Sequence, residues 1–250
     1  MASKCIKTRR FSNVSKWVAD DTGEGGFIVL YKPEKIIFSK KSKYQDIAII
    51  ENKSFGRMLF LDGEVQIGEL DADVYNKAIV DPIFKRKRRV KKVVILGGGD
   101  GGVLHELLSR GIEEAYLVDI DEEVVKACRK YLKKIHKGAF SDRRARIVIQ
   151  DANEFLKANK GFDAVIYDLT MFPNLGRTKR EKYLSEIFKN VKNALKKDGI
   201  FSMQMCSVFD KETYRFIMRI LKRYFKDIIV TKAFIQPYCE YWLFASAKPK

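Results

Sequence analysis

Five glycines in six positions separate two apolar runs in Val93-Val94-Ile95-Leu96-Gly97-Gly98-Gly99-Asp100-Gly101-Gly102-Val103-Leu104. Four branched aliphatic residues in a row favour a strand, and glycines permit a tight turn and a close approach of main chain to a ligand. The unit reads as strand, loop and helix, the placement that a glycine-rich nucleotide loop requires. The surrounding pattern alternates in the same way. It predicts helix 71–84, strand 92–96, helix 103–109, strand 115–118, helix 122–135, strand 146–149, helix 152–158 and strand 164–167. Helix 179–195, strand 200–205, helix 211–224 and strands 227–231 and 241–245 follow. Such alternation implies a parallel sheet covered by helices on both faces.

Before residue 70 the chain has a different character. Short β-rich runs at 27–32, 35–39, 44–51, 57–61 and 64–68 are divided by turn signals such as Asp21-Thr22-Gly23, Lys53-Ser54-Phe55-Gly56 and Asp62-Gly63. They predict a small antiparallel sheet of hairpins. The expected architecture is therefore α/β: a Rossmann-like, doubly wound, mostly parallel sheet over 71–250, behind a small antiparallel β domain over 1–70.

Composition narrows the class. Hydrophobic residues make up 46% of the 250 and charged residues 32%, as in a globular chain. No apolar run reaches the roughly 20 residues of a membrane span, and no apolar stretch follows the first residues, so neither a membrane nor a secreted protein is expected. Cys5, Cys128, Cys206 and Cys239 lie far apart with no CxxC pair, which argues against zinc and disulfides and for a reduced, cytoplasmic protein without a metal. Lys and Arg number 49 against 32 Asp and Glu, a formal charge of +17. Taken alone, that excess points to a polyanion, and the basic run Lys85-Arg86-Lys87-Arg88-Arg89-Val90-Lys91-Lys92 could serve one. No aromatic interleaving marks a stacking platform there, and a solvated connector is the favoured reading.

Two acids after the glycine loop and one within it stand out. Asp119 ends the next strand, 20 residues beyond Gly99, where a carboxylate can accept both ribose hydroxyls. Asp151 follows the third strand, placed to accept an adenine amino hydrogen. Each could instead cap the helix after it. Asp100 stands among the glycines, at a helix N-terminus that would otherwise attract a pyrophosphate. It suits a cationic ligand, such as a sulfonium compound carrying an amine, better than a dinucleotide. The fourth strand delivers Asp168 to the carboxyl end of the sheet, where it can orient and deprotonate a nucleophile. Tyr44, Gln45, Glu69, Asp71, Tyr238 and Glu240 add acids and aromatics of the kind a polycation needs.

These residues resemble the polyamine aminopropyltransferases, the spermidine and spermine synthase family. The resemblance covers roughly 44–244. It rests first on Gly97-Gly98-Gly99-Asp100-Gly101-Gly102-Val103-Leu104, then on Tyr44-Gln45-Asp46-Ile47, Leu61-Asp62-Gly63, Glu69-Leu70-Asp71 and Tyr75. It implies decarboxylated S-adenosylmethionine as co-substrate, cradled by Gly97, Gly98 and Gly99. Asp119 would meet its ribose, Asp151 and Ala152 its adenine, Gln45 would lie nearby and Asp100 would hold its amine. Asp168 matches the catalytic acid, and Tyr44, Asp71, Tyr238 and Glu240 match the acceptor channel. Spermidine synthases usually read Asp-Ser-Ser-Asp at the catalytic strand end, whereas this chain reads Asp168-Leu169-Thr170-Met171. That sequence, with Tyr238-Cys239-Glu240-Tyr241-Trp242, looks like spermine synthase and favours spermidine as acceptor, giving spermine or thermospermine. Putrescine is the alternative within the family, and an S-adenosylmethionine-dependent RNA methyltransferase is the alternative outside it. The acids disfavour nucleic acid as a partner, and the family resemblance implies a homo-oligomer, dimer or tetramer.

Overall fold

The computed structural model describes residues 18–21, 26–171 and 177–250; Cys5 and most of the Asp21-Thr22-Gly23 turn lie outside them. The chain opens with the paired strands β1 (Val18–Asp21) and β2 (Ile28–Tyr31). An antiparallel meander follows: β3 (Lys35–Lys41), β4 (Asp46–Asn52), β5 (Gly56–Leu61) and β6 (Glu64–Gly68). Helix α1 (Ala72–Arg86) leads to the alternating part: β7 (Lys92–Gly97), α2 (Gly102–Ser109), β8 (Glu114–Asp119), α3 (Glu122–Tyr131), α4 (Lys133–His136) and β9 (Ala145–Ile149). Then come α5 (Ala152–Ala158), β10 (Phe162–Asp168), α6 (Arg177–Ala194), β11 (Leu195–Ser207), α7 (Lys211–Tyr224), β12 (Phe225–Ile235) and β13 (Glu240–Pro249).

Seven strands form the large sheet in the order β12-β13-β11-β10-β7-β8-β9. Neighbours from β9 to β11 pair in parallel, while β13 runs antiparallel between β11 and β12. The mostly parallel α/β expectation holds, and the pleat explains why. Val93 and Ile95 of β7 face a layer built from Ile79 and Ile83 of α1 and Leu104 and Leu107 of α2. Val94 and Leu96 face the opposite layer, with Phe155 of α5, Leu184 and Phe188 of α6 and Ile217 of α7. The small sheet packs Ile47, Ile49 and Leu59 on Val124, Ala127 and Cys128 of α3, which fixes it over the carboxyl ends of the large sheet's strands.

Two local features differ from expectation. The helix anticipated over 122–135 breaks at Leu132, whose ψ is 43°. Cys128, Leu132 and Ile135 are all buried, so the apolar period runs through the break and hides it. The basic run is a solvated connector only in part: Lys85, Arg88 and Arg89 are exposed, and the others anchor the fold. Arg86 donates to Ser246 Oγ at 3.0 Å and to the Asp227 carbonyl at 2.6 Å, and Lys92 lies over the Phe162 and Tyr116 rings. Lys87 and Lys196 pair with the buried Asp163, which also accepts the Lys91 and Lys92 amides at 3.0 Å. Burial pushes the Asp163 carboxyl up, but Lys196, the two amides and Lys87 outweigh it and hold the value at about 2. Among the described residues, no helix is long and apolar enough to cross a membrane.

Candidate active site

The carboxyl ends of β7, β8 and β10 bring the glycine loop, Asp119 and Asp168 together. Gly97 has φ +83°, and a Cβ there would lie 2.3 Å from the Asp168 carbonyl oxygen. At Gly98 a Cβ would lie 3.0 Å from Asp168 Oδ2, and at Gly99 one would lie 2.7 Å from Asp119 Oδ2. Gly97, Gly98 and Gly99 therefore carry no side chains because their backbone forms the floor between two carboxylates. Asp100 Oδ1 accepts the Gly102 amide at 2.8 Å at the start of α2. Its neighbour Gly101 carries no side chain to cap with, so Asp100 combines a helix-end role with its place in the cleft.

Three acids packed this closely depart from ordinary behaviour. Burial, reinforced by Asp168 and more weakly by Asp119, pushes Asp100 up to about 7. Burial likewise raises Asp119 to about 6, against the lowering effect of the Asp121 amide. Asp168 rises to about 6 through burial, although the Tyr75 hydroxyl works to lower it. Carboxyls raised first by burial and secondarily by neighbouring carboxylates suit a site that receives a cation.

Tyr75, four residues beyond Asp71 and so next to it on the α1 surface, donates its hydroxyl to Asp168 Oδ1 at 2.6 Å. Its ring meets Phe244 at 5.3 Å and Tyr238 at 6.4 Å. Tyr238 donates to the Gln66 carbonyl at 2.7 Å and packs on Trp242. Asp71 is buried and accepts the Gln236 amide at 3.1 Å, which holds the turn that carries Tyr238. Tyr238 feels the charges of Asp168, Asp20, Asp100 and Asp71 together, so it stands in the middle of the acid wall. Glu240 is buried and bonded to Ser207 Oγ, and it shares with Asp20 the surroundings of Tyr31 and Cys239.

Other expected site residues have partners of their own. Asp151 caps α5 by accepting the Glu154 amide at 3.0 Å, with Ala152 buried beside it. Gln45 donates to Asp121 Oδ2 at 3.0 Å, and Tyr44 is 48% exposed with Lys43 over its ring. Several residues of the site carry no local signal in the sequence. Gln204 accepts from Trp242 Nε1 at 2.9 Å and donates to the Leu169 carbonyl at 2.6 Å, which steadies the chain just after Asp168. Asn76 is 1% exposed, and neither atom of its amide is hydrogen-bonded. It lies beside Gly102, where a Cβ would come within 2.5 Å of Asn76 Nδ2 and 2.9 Å of Asp100 Oδ1.

Residues 72–250 match the spermine/spermidine synthase domain, and residues 17–69 match the spermidine synthase tetramerisation domain. The chain belongs to the spermine/spermidine synthase family. It is 37% identical over 218 residues to a polyamine aminopropyltransferase of Aeropyrum pernix, covering 86% of this chain and 69% of that protein. A polyamine aminopropyltransferase of Caldicellulosiruptor saccharolyticus is 39% identical over 213 residues, covering 83% of this chain and 74% of that one. The family likeness extends to three dimensions. A spermidine synthase from Thermotoga maritima superposes with a TM-score of 0.84 at 30% identity, over 98% of this chain and 82% of that one. A spermidine synthase in complex with the transition-state analogue AdoDATO gives the same TM-score and identity, over 83% of its own chain. Among the described residues of this family member, no cluster of three or more His, Cys, Asp or Glu side chains could hold a metal ion.

Proposed function

We propose that the protein moves the aminopropyl group of decarboxylated S-adenosylmethionine to a primary amine of spermidine, with putrescine as the alternative acceptor, and releases 5′-methylthioadenosine. The observation that carries this reading is Asp168. One of its oxygens is held by Tyr75, and the other borders the glycine floor beside Asp100 and Asp119.

The residues fit the co-substrate. Its nucleoside has a bare glycine floor and a ribose-accepting carboxylate in Asp119. Its aminopropyl ammonium finds Asp100, with the unpartnered Asn76 amide beside it. Asp151 and Ala152 flank the adenine position, and Gln45 and Tyr44 approach from the small sheet. Tyr238, Asp71 and Glu240 line the acceptor's path.

In the reaction, the amine lone pair forms a bond to the methylene carbon next to the sulfonium. The C–S bond breaks with its electron pair passing to sulfur, which leaves as a neutral thioether. The amine must arrive neutral, and at pH 7 that costs an alkylamine about 4–5 kcal/mol. Asp168, at about 6, is ionised at neutral pH and takes the amine proton through Oδ2. The glycine loop and Tyr75 hold the reactants in line, so that binding supplies much of the remaining acceleration.

Acceptor length is read from the far end of the cleft. Buried Met171 stands where an acid would hold putrescine, and buried Glu240 offers a carboxylate further out for an internal amine. We assign the small sheet, within 1–70, to assembly as a dimer or tetramer and 71–250 to catalysis, with the cytoplasm as the place of action. Arg86, Lys87 and Lys92 of the basic run are engaged by Ser246, Asp163 and aromatic rings, and the acids of the cleft disfavour RNA as the substrate.

Product analysis by mass spectrometry tests the assignment. Protein with decarboxylated S-adenosylmethionine and spermidine should yield a tetraamine and methylthioadenosine, with little product from putrescine. Spermidine formed from putrescine would move the acceptor assignment. No methylthioadenosine from either would overturn the reaction.

A further inference from the structure

Asp121 is 1% exposed, and its backbone and side chain serve two separate parts of the fold. Its amide donates to Asp119 Oδ1 at 2.9 Å. Its Oδ1 accepts the Glu123 amide at 3.1 Å and caps α3. Its Oδ2 faces the β3–β4 turn, accepting from Ser42 Oγ at 2.6 Å and from Gln45 Nε2 at 3.0 Å. Ser42 Oγ in turn accepts the amides of Tyr44 at 3.0 Å and Gln45 at 3.1 Å, so it shapes the turn that Asp121 anchors. Lys40 pairs with Glu123 alongside.

We propose that Asp121 is a positioning residue for nucleoside binding, which orients Asp119 and clasps it to the turn carrying Tyr44 and Gln45. A helix cap needs one carboxylate oxygen. The second oxygen accepts two bonds from a segment 76 and 79 residues away in sequence, and capping does not require that. Charge-assisted bonds of this kind fix geometry as well as adding energy. The ribose carboxylate and the wall of the small sheet thus move as one unit. Asp168 sits on a different strand and is outside the clasp, so cutting it weakens nucleoside capture and spares the chemical step. The proposal rests on the assignment of Asp119 to the ribose.

The test uses 5′-methylthioadenosine, which keeps the ribose and lacks the transferred group, titrated calorimetrically into the full chain. Asp121→Asn keeps an oxygen for the α3 cap but turns an amide donor toward Gln45 Nε2. Its Kd should rise about tenfold, the size of one charged hydrogen bond. In turnover assays, the KM for decarboxylated S-adenosylmethionine should rise by a similar factor, with kcat changed less than about threefold. Ser42→Ala, at the partly exposed turn, should weaken binding about threefold or more, and Ser42→Thr, which restores the hydroxyl, should return it to the wild-type range. If Asp121→Asn does not fold, the Ser42 pair still decides. Unchanged Kd in Ser42→Ala, with any loss in Asp121→Asn tracking its melting temperature, would reduce Asp121 to a helix cap and overturn the proposal. Wild-type protein that does not bind methylthioadenosine would instead remove the functional reading, and this inference with it.

Discussion

Tyr75 Oη and Asp168 Oδ1 lie 2.6 Å apart, a hydrogen bond that joins the first helix of the large domain to the end of a central strand. The bond stabilises the ionised carboxylate against its burial and leaves its second oxygen toward the cleft. Removing the hydroxyl in Tyr75→Phe should therefore raise the Asp168 value. The acidic limb of the kcat–pH profile, set near 6 in the wild type, should move to higher pH. An unmoved limb would show that Asp168 does not govern it.

Asp168→Asn keeps the shape of the side chain and removes its basicity. Turnover should fall about a hundredfold to ten-thousandfold, the usual contribution of a positioned base. Methylthioadenosine affinity should stay within a small factor of wild type. Near-normal turnover would exclude Asp168 as the proton acceptor.

Activity and stability should run in opposite directions with pH. Asp100, Asp119 and Asp168 all have folded values raised above 3.8. Each contributes stability that is full below about 4 and is lost as pH rises through 6 to 7. His105 and His136, lowered chiefly by burial, oppose this below 6.5, so a comparison with a variant isolates the effect. Asp100→Asn should be more heat-stable than wild type at pH 8, and the gap should narrow as pH falls through 7. Differential scanning calorimetry of ligand-free protein across that range measures it, and a gap that widens toward acid would contradict the sign.

Gly97→Ala combines a left-handed backbone with a clash against the Asp168 carbonyl. The expected loss is about 3 kcal/mol, or roughly 5–10 °C in melting temperature. Gly111 also has a positive φ but open space around it, so Gly111→Ala should cost less than half as much. Equal losses in the two variants would mean that the close approach at Gly97 is unimportant.

At the opposite end of the same central strand from Asp168, Asp163→Asn leaves two lysines and a pair of amides sharing a neutral partner. Urea unfolding should show a loss of about 2–4 kcal/mol at pH 7, because a charge is removed from a largely buried cluster. The wild-type advantage should disappear as pH falls from about 4 toward 2, through the depressed folded value.

The parts of this molecule legible in its sequence are those whose signal is local. Val93 to Leu96 announce a strand by composition, Gly97 to Gly102 announce the loop, and Asp119 and Asp168 stand at predictable strand ends. Residues whose role depends on distant partners were not legible. Asp121 is an unremarkable acid two positions after Asp119 until the fold sets Ser42 and Gln45 against it. Gln204 and Trp242 meet only because β13 pairs with β11, and Asn76 matters only because Gly102 crowds it. Strand β1 has four residues without clear alternation, and its pairing with β2 creates it. The basic run looked like a solvated connector because nothing near it in sequence shows Asp163 or Phe162 waiting beneath.

The antiparallel β13 lies between β11 and β12, although it follows both in the chain. During synthesis, a polypeptide complete through β12 would have every helix of the large sheet but a gap between β11 and β12, with two long edges unpaired. Such edges are templates for aggregation. Glu240 and Trp242 sit on that last strand, so the acceptor end of the cleft proposed above comes into being only when the sheet is sealed. On the proposed assignment, a nascent chain acquires its nucleoside pocket before it can recognise an amine, and competence for transfer arrives in one closing step.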